Sequence, residues 1–379
     1  MSEAKILIIS LTDHDSDPRV IRQINFLKDN YDIYCCGVSN NIIPEKNFYT
    51  IIVKPNTAIR KIVIGSLKLL RLYSHSENYV LRKKTEIKYN GRDILFDLII
   101  ANDMDSIPVA LRLFRSKKVM ADFHEYAPEE FQDKLYWKLI HKNYIVHQCR
   151  KYFPMLSGTS TVCKSIADEY KIDFGIQPEV ITNAADFVDL IPTPVSDKIK
   201  IIHHGAAISS RKIEIMIEAG KLLDDRFTLD LMLIPNEVVY YNSLKEMIRE
   251  SKNIRMIGPV LFKDIIPFCN SYDIGLFILP PVNLNYRYAL PNKFFEFIQS
   301  RLAVITGPSV EMADYISKFQ LGISTKSYSP EEIAREINNL SIEQIEAYKL
   351  NSHKYARELS SEKNKILLNN LVKKLLTNE

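Results

Sequence analysis

A chain of 379 residues, 46% of them hydrophobic and 25% charged, has the size and composition of two soluble globular domains. Its formal net charge of +4 lacks the clustered basic character of a nucleic-acid binder, so no nucleic-acid partner is expected. Five cysteines (Cys35, Cys36, Cys149, Cys163, Cys269), an odd number without C-x-x-C spacing, exclude a disulfide framework and read as reduced, mostly buried thiols.

In chain order, short apolar runs alternate with helical spacing. Strands are expected over 6–10, 32–38, 49–53, 95–101, 118–121, 158–162 and 179–181. Helices are expected between them, including 20–27, 107–114, 134–149 and 164–170. Such alternation gives a parallel sheet with crossover helices. Residues 191–197 hold two prolines and no periodicity, the mark of a linker. A second set then begins, with strands over 199–203, 229–234, 253–257, 273–278, 303–306 and 322–324. A helix over 213–222 and a charged helical tail over 330–340 and 365–376 complete it. The expected architecture is α/β: two doubly wound Rossmann-like domains, residues 1–192 and 198–354, facing a central cleft, with a final helix at about 355–379 packed back on the first. The opening residues lack the features of a secretory leader, and no apolar run approaches the ~20 residues that span a bilayer, so a cytoplasmic location is expected.

Several stretches carry chemistry. Pro291 suits the first turn of a helix, where its missing N–H leaves nothing unpaired. Phe294, Phe295, Phe297 and Ile298 should pack that helix on a sheet, with Glu296 among them. A helix start at the mouth of a sheet suits an anion. Arg211 and Lys212 open another helix after the strand 199–203 and a turn, which is where a phosphate would sit; the alternative is a solvated basic pair. Arg19 and Arg22 share a helix face and either bind a phosphate or pair with acids. Asp103-Met-Asp105 spells D-x-D but follows a strand of the first domain, so helix capping by Asp105 competes with a site role. Asp13, Asp15 and Asp17 read as turn and cap residues, not metal ligands. His203 and His204 alternate across a strand, which argues against a shared metal, and Cys163 reads as core.

The stretch 59–73 places Ile59, Ile62, Val63, Leu67, Leu70 and Tyr73 on one stripe. Arg60, Lys61, Lys68 and Arg71 flank it, and Arg82-Lys-Lys84 follows. This is either a helix lying on an anionic membrane surface or a core-facing helix with a solvated edge.

Six motifs in order resemble one family over nearly the whole chain. They are Asp17-Pro-Arg-Val-Ile-Arg22 with Leu27, Ala121-Asp-Phe-His-Glu125, His204-Gly205 with Arg211 and Ile217-Glu-Ala219, Met256-Ile-Gly-Pro-Val260, Ser271-Tyr-Asp-Ile-Gly-Leu276 and Leu290-Pro-Asn-Lys-Phe-Phe-Glu296. Together they resemble family 4 glycosyltransferases of the GT-B fold. The resemblance implies a retaining enzyme that moves a sugar from a nucleotide-diphosphate sugar to a saccharide acceptor, often lipid-linked, in surface polysaccharide assembly. It implies no metal cofactor, and a peripheral place on the inner face of the cytoplasmic membrane with contact through 59–84.

The same resemblance implies roles for single residues. Glu296 takes the ribose hydroxyls, as an acceptor-only carboxylate can. Arg211 neutralises the leaving diphosphate, joined by Gly205 and by Lys212, where the family more often has glycine; Lys293, near the other helix start, is either a further partner of the diphosphate or a helix-surface lysine. Pro291, Asn292 and Tyr288 line the donor pocket, and the backbone at Gly258 holds the base. His124 lies near the donor sugar, while Asp103, Glu125, Arg19 and Arg22 face the acceptor. Two departures stand out. Tyr288 occupies the place of a usual glutamate eight residues before Glu296, and the polar loop 11–16 replaces a glycine-rich one. A nucleotide-sugar 2-epimerase and an inactive sugar-nucleotide-binding subunit are the alternative readings.

Overall fold

The computed structural model describes residues 3–12, 14, 17–39, 42–53, 57–83, 85–88 and 94–377. Asp13, Asp15 and Lys84 of the sequence argument lie outside them. The chain forms two compact units. One comprises Met1–Ile181, Asn283–Asn285 and Lys365–Glu379; the other comprises Thr182–Val282 and Tyr286–Asn364.

The first unit is built on an eight-stranded sheet. Its order across the sheet is Glu179–Val180, Gly158–Thr161, Val119–Phe123, Leu98–Asn102, Lys5–Ile9, Asp32–Gly37, Phe48–Val53 and Thr85–Lys88. Neighbours are parallel except the last pair, which is antiparallel. Ile6, Leu7, Ile8 and Ile9 are all shut off from solvent, as a parallel sheet covered on both faces requires. The helix Pro18–Leu27 starts where the Asp17 carboxylate accepts the N–H groups of Arg19 and Val20, with proline in the first turn. It lays Val20, Ile24 and Leu27 on the sheet, and the last helix adds Leu368, Val372 and Leu375 to the same core.

The second unit holds a six-stranded, wholly parallel sheet. Its order is Ile254–Ile257, Phe227–Ile234, Ile199–Ala206, Ile274–Phe277, Ala303–Thr306 and Gly322–Ser324. Strand order reverses beside Lys5–Ile9 in the first sheet and beside Ile199–Ala206 in the second. Crevices for ligands open at such switch points, beyond the carboxyl ends of the strands.

Three local expectations change. The stretch 134–149 is not one regular helix: a π-helical turn, Trp137–His141, precedes the helix Lys142–Tyr152. Asp105 stands at the start of Ser106–Leu113 but makes no capping hydrogen bond. Pro291 stands just before the helix Asn292–Gln299, in extended conformation, rather than inside its first turn. The five cysteines are all buried free thiols.

The stretch 59–73 becomes a helix, Ala58–Leu69, capped by the Thr57 hydroxyl, and the start of a second, Tyr73–Lys83. The expected stripe is only partly covered: Val63, Leu67 and Tyr73 are half-buried, while its other members stand in solvent. Ile59, Ile62 and Leu69 are 74%, 67% and 65% exposed, and Leu70 stands in solvent beside them. Lys68, expected at the solvated edge, is instead buried, 3.9 Å above the Tyr144 ring and 3.1 Å from His141 Nδ1. Burial and the Lys68 charge push the His141 imidazole down to about 4, so it accepts as a neutral ring. No helix among the described residues is long and apolar enough to cross a membrane.

Candidate functional site

In the first unit, the carboxyl ends of Leu98–Asn102 and Val119–Phe123 present Asn102, Asp103, Asp122 and His124 side by side. Asp122 is the hub. It accepts two bonds from the Arg19 guanidinium (2.5 and 2.6 Å), one from Gln23 Nε2 (2.6 Å) and one from the Ser160 hydroxyl (2.6 Å). Burial alone would raise its carboxyl, but Arg19 and His124 hold it well below the usual carboxylate range. Arg19 also donates to the carbonyl of Ile181 at 2.9 Å. It is thus turned inward, 6% exposed, and takes the acid-pairing alternative of the sequence reading rather than facing an acceptor. Arg22, one turn on, is half-buried.

Asp103 is turned toward His124. Its Oδ1 accepts the His124 backbone N–H at 2.9 Å, and its Oδ2 lies 3.1 Å from Nδ1. The other ring nitrogen, Nε2, stands 3.2 Å from Asn102 Oδ1 and 3.6 Å from Asp122 Oδ2. Burial works against the imidazolium, yet Asp103 and Asp122 raise His124 above its ordinary value. Glu125 is exposed and accepts a bond from Asn285 (3.3 Å), whose amide oxygen also receives the Tyr126 N–H (2.7 Å). Glu130 is pushed up to about 8, by burial and then by Glu125, Asp105 and Asp103.

In the second unit the helix Asn292–Gln299 brings side chains to the end of Ile199–Ala206. Gly275 lets the helix Asn292–Gln299 lie close on its sheet, because a Cβ there would run into the Phe297 ring. This places Lys293 and Glu296, 8% and 6% exposed, beneath His203, His204 and Gly205. Glu296 Oε2 lies 3.4 Å from His204 Nε2. The Lys293 ammonium lies 4.5 Å above the Phe277 ring and has no hydrogen-bond partner among the described residues. Gly205 adopts φ +135°, a conformation side chains resist, and a Cβ there would stand 2.6 Å from Lys293 Nζ and 3.7 Å from an Arg211 nitrogen. Two cations therefore flank one bare backbone position.

The charges here are strongly perturbed. Burial, then Arg211, depress Lys293 well below its ordinary value, with Glu296 opposing. Burial and Lys293 push His204 down to about 3 and His203 well below its usual range. Both histidines are neutral at physiological pH. His203 Nδ1 lies 2.9 Å from the carbonyl of Leu276, so its proton sits there and Nε2 is an acceptor. An ammonium buried without a partner costs several kcal/mol, which an anion arriving between Lys293 and Arg211 would offset.

Other expected donor-site residues fare differently. Arg211 ends a short 3-10 turn and donates to the carbonyl of Ala206 at 3.2 Å. Lys212 has φ +54° and its exposed ammonium lies 3.8 Å from Glu214, pointing to a conformational reason for glycine at this place. Gly258 is exposed with open space around it, so neither a close neighbour nor backbone strain demands glycine there. Asn292 is the first residue of its helix. Tyr288 is half-buried under the Arg287 guanidinium, and Tyr286 bonds the Ser210 hydroxyl at 2.9 Å. Sequence reasoning missed Asp122, Asn102 and Gln23. Polar side chains at strand ends, where a parallel strand is otherwise apolar, were the available signal.

No protein-family model and no curated protein matches the chain in sequence. Solved structures do match. Anabaena Alr3699/HepE, in complex with UDP-glucose, is similar at a TM-score of 0.68 and 14% identity, over 97% of this chain and 99% of that one. A glycosyltransferase from Rickettsia africae gives 0.64 at 14% identity over 100% of both chains. WaaG, a glycosyltransferase involved in lipopolysaccharide biosynthesis, gives 0.60 at 12% identity over 96% of this chain and 99% of that one. The fold is GT-B. At identities this low the likeness is one of fold, and the GT-B frame alone does not name a donor or an acceptor.

Proposed function

We propose that this GT-B chain is a glycosyltransferase that moves a sugar from a nucleotide-diphosphate sugar to a saccharide acceptor. The observation that carries the reading is the unpartnered, buried ammonium of Lys293 beside Arg211 at the bare backbone of Gly205. A diphosphate supplies the missing counter-charge, and Glu296 one helical turn further in accepts ribose hydroxyls. UDP-sugar bound to a protein of this fold adds support.

In the reaction the bond from the anomeric carbon to the leaving phosphate oxygen breaks. The acceptor oxygen bonds to that carbon, and its proton passes to the departing diphosphate. Lys293 and Arg211 stabilise the charge that develops there, in the role a metal plays elsewhere. His124 of the first unit is the donor-sugar residue in this reading. Retention of configuration follows if attack and departure share one face.

The acceptor is read as lipid-linked, in assembly of a surface polysaccharide, with the enzyme held at the inner face of the cytoplasmic membrane. Support comes from the exposed stripe Ile59, Ile62, Leu69 and Leu70, in a run from Thr57 to Leu72 that carries four cations and no carboxylate.

Incubation with a panel of nucleotide sugars and membrane extract tests the reading. Acceptor-dependent release of nucleoside diphosphate, with label entering lipid, is expected. Isomerised donor without release would mark an epimerase instead. Binding with neither outcome would mark an inactive subunit, the reading that Tyr288 favours.

A further inference from the structure

We infer that Asp103 and Asp122 are positioning residues for His124, together keeping both of its ring nitrogens protonated so that it meets its ligand as a cationic donor. The inference rests on the glycosyl-transfer reading for its role, but on geometry for its substance.

Asn102 Nδ2 donates to the carbonyl of Ile9 (3.2 Å) and to Gln23 Oε1 (3.0 Å). Gln23 Nε2 in turn donates to Asn102 Oδ1 (2.9 Å) and to Asp122 Oδ2 (2.6 Å). These bonds fix which end of each amide is oxygen. The atom that meets His124 Nε2 is therefore the acceptor Oδ1, with Asp122 Oδ2 behind it. On the opposite side Nδ1 meets Asp103 Oδ2. Both nitrogens face acceptors only. A neutral imidazole would leave one of them, lone pair against lone pair, so the doubly protonated ring is the one that fits.

The backbone is shaped for this pairing. Asp103 has φ +61°, a conformation strained for most non-glycine residues and tolerated best by Asp and Asn. Its own N–H donates to the carbonyl of Asp122 at 2.9 Å, which ties the two carboxylates' chains together. The turn folds its side chain back over the His124 N–H and ring. Asp122 remains a charge because Arg19 binds it twice. Arg19, from the helix Pro18–Leu27, is the cation that acts against His124. Burial, then Asp122 and Asp17, raise Asp103 while His124 lowers it, and Asp103 in turn raises Glu130. The weaker hold is at Nε2, whose nearest acceptor is 3.2 Å away. That longer contact makes the Nε2 proton the one a sugar hydroxyl or a phosphate oxygen can share.

The test is ring-nitrogen NMR on the full chain, with the His124 signals assigned by their loss in His124→Gln. At pH 7.5 both nitrogens should carry protons. Asp103→Asn keeps the size and the backbone-capping oxygen but removes the charge, so the midpoint should fall by about one pH unit or more, with other histidines unmoved. The alkaline limb of turnover, followed as nucleoside diphosphate release, should move down by the same amount. A neutral His124 at pH 7.5 in the unaltered chain overturns the inference. So does an Asp103→Asn midpoint unchanged beside an intact backbone spectrum. Should turnover be absent altogether, the NMR titration still decides this point, so failure of the functional reading is seen separately.

Discussion

The guanidinium of Arg19 grips the carboxylate of Asp122 through two hydrogen bonds, 2.5 and 2.6 Å, between side chains almost closed to water. Removing one member strands the other in a low-dielectric site. Arg19→Met should destabilise the folded chain by about 3–5 kcal/mol, far more than loss of an exposed ion pair. The pH dependence has a definite sign. Asp122 titrates lower folded than unfolded, so its contribution is present above the usual carboxylate range and is lost as pH falls through and below it. Urea titrations at pH 7 and at acid pH should show the gap between Arg19→Met and the parent closing as pH falls. A constant gap would reject the pairing.

Lys293 makes the opposite prediction. Its ammonium has no hydrogen-bond partner among the described residues, so the unliganded chain should gain from Lys293→Met, by ~1–4 kcal/mol, while nucleoside diphosphate ceases to raise the melting temperature. Lys293 titrates lower folded than unfolded, so the unfolded chain binds more protons in the window between the two values. Stability of the unliganded protein should therefore rise with pH up to the ordinary lysine range, and Lys293→Met should flatten that rise. His203 and His204, both depressed, act on the acid side: their contribution is lost as pH falls below about 6.5. A Lys293→Met chain that is less stable yet still shifted by diphosphate would remove the anion site.

Much of the frame could be read directly from the chain. Ile6–Ile9 is an apolar run of strand length, and Leu290–Glu296 is a helix start with an acid at a buried place, so sheet, helix and Glu296 were all in view. Arg19 and Asp122, by contrast, stand 103 residues apart, and nothing in either segment states that they meet. The same holds for His204 against Glu296, since a strand end and a helix face find each other only through the parallel sheet. Lys68 shows the remaining gap. Helical spacing put it beside an apolar stripe, but periodicity does not say which side of a helix the protein covers. Tyr144 and His141 cover the lysine side, and Ile59 and Ile62 are left outside.

Glu296 should be felt through ribose. Glu296→Gln keeps its volume but turns one acceptor into a donor, so nucleoside diphosphate affinity should drop by roughly 10- to 100-fold, the ~1.5–3 kcal/mol of a charge-assisted bond. Calorimetry with a dideoxy analogue completes a cycle. The analogue should bind the parent as weakly as the intact nucleotide binds the variant, and combining both changes should cost little more than either. Additive losses would mean that the carboxylate acts elsewhere than on the ribose.

The exposed stripe on Ala58–Leu69 predicts binding to vesicles, with the two kinds of side chain separable. Ile59→Ser with Ile62→Ser and Leu69→Ser removes apolar area that now faces water, and should abolish flotation with vesicles of mixed neutral and anionic lipid. Replacing Arg60, Lys61 and Arg71 by serine should weaken flotation on anionic vesicles alone, by about 1 kcal/mol for each charge near the surface, and raised salt should mimic the change. Lys68→Ala belongs to neither set. Its ammonium is held by Tyr144 and His141, so it should lower melting temperature and leave flotation of the folded protein as it was. Flotation that survives both surface sets would discard this face as the membrane contact.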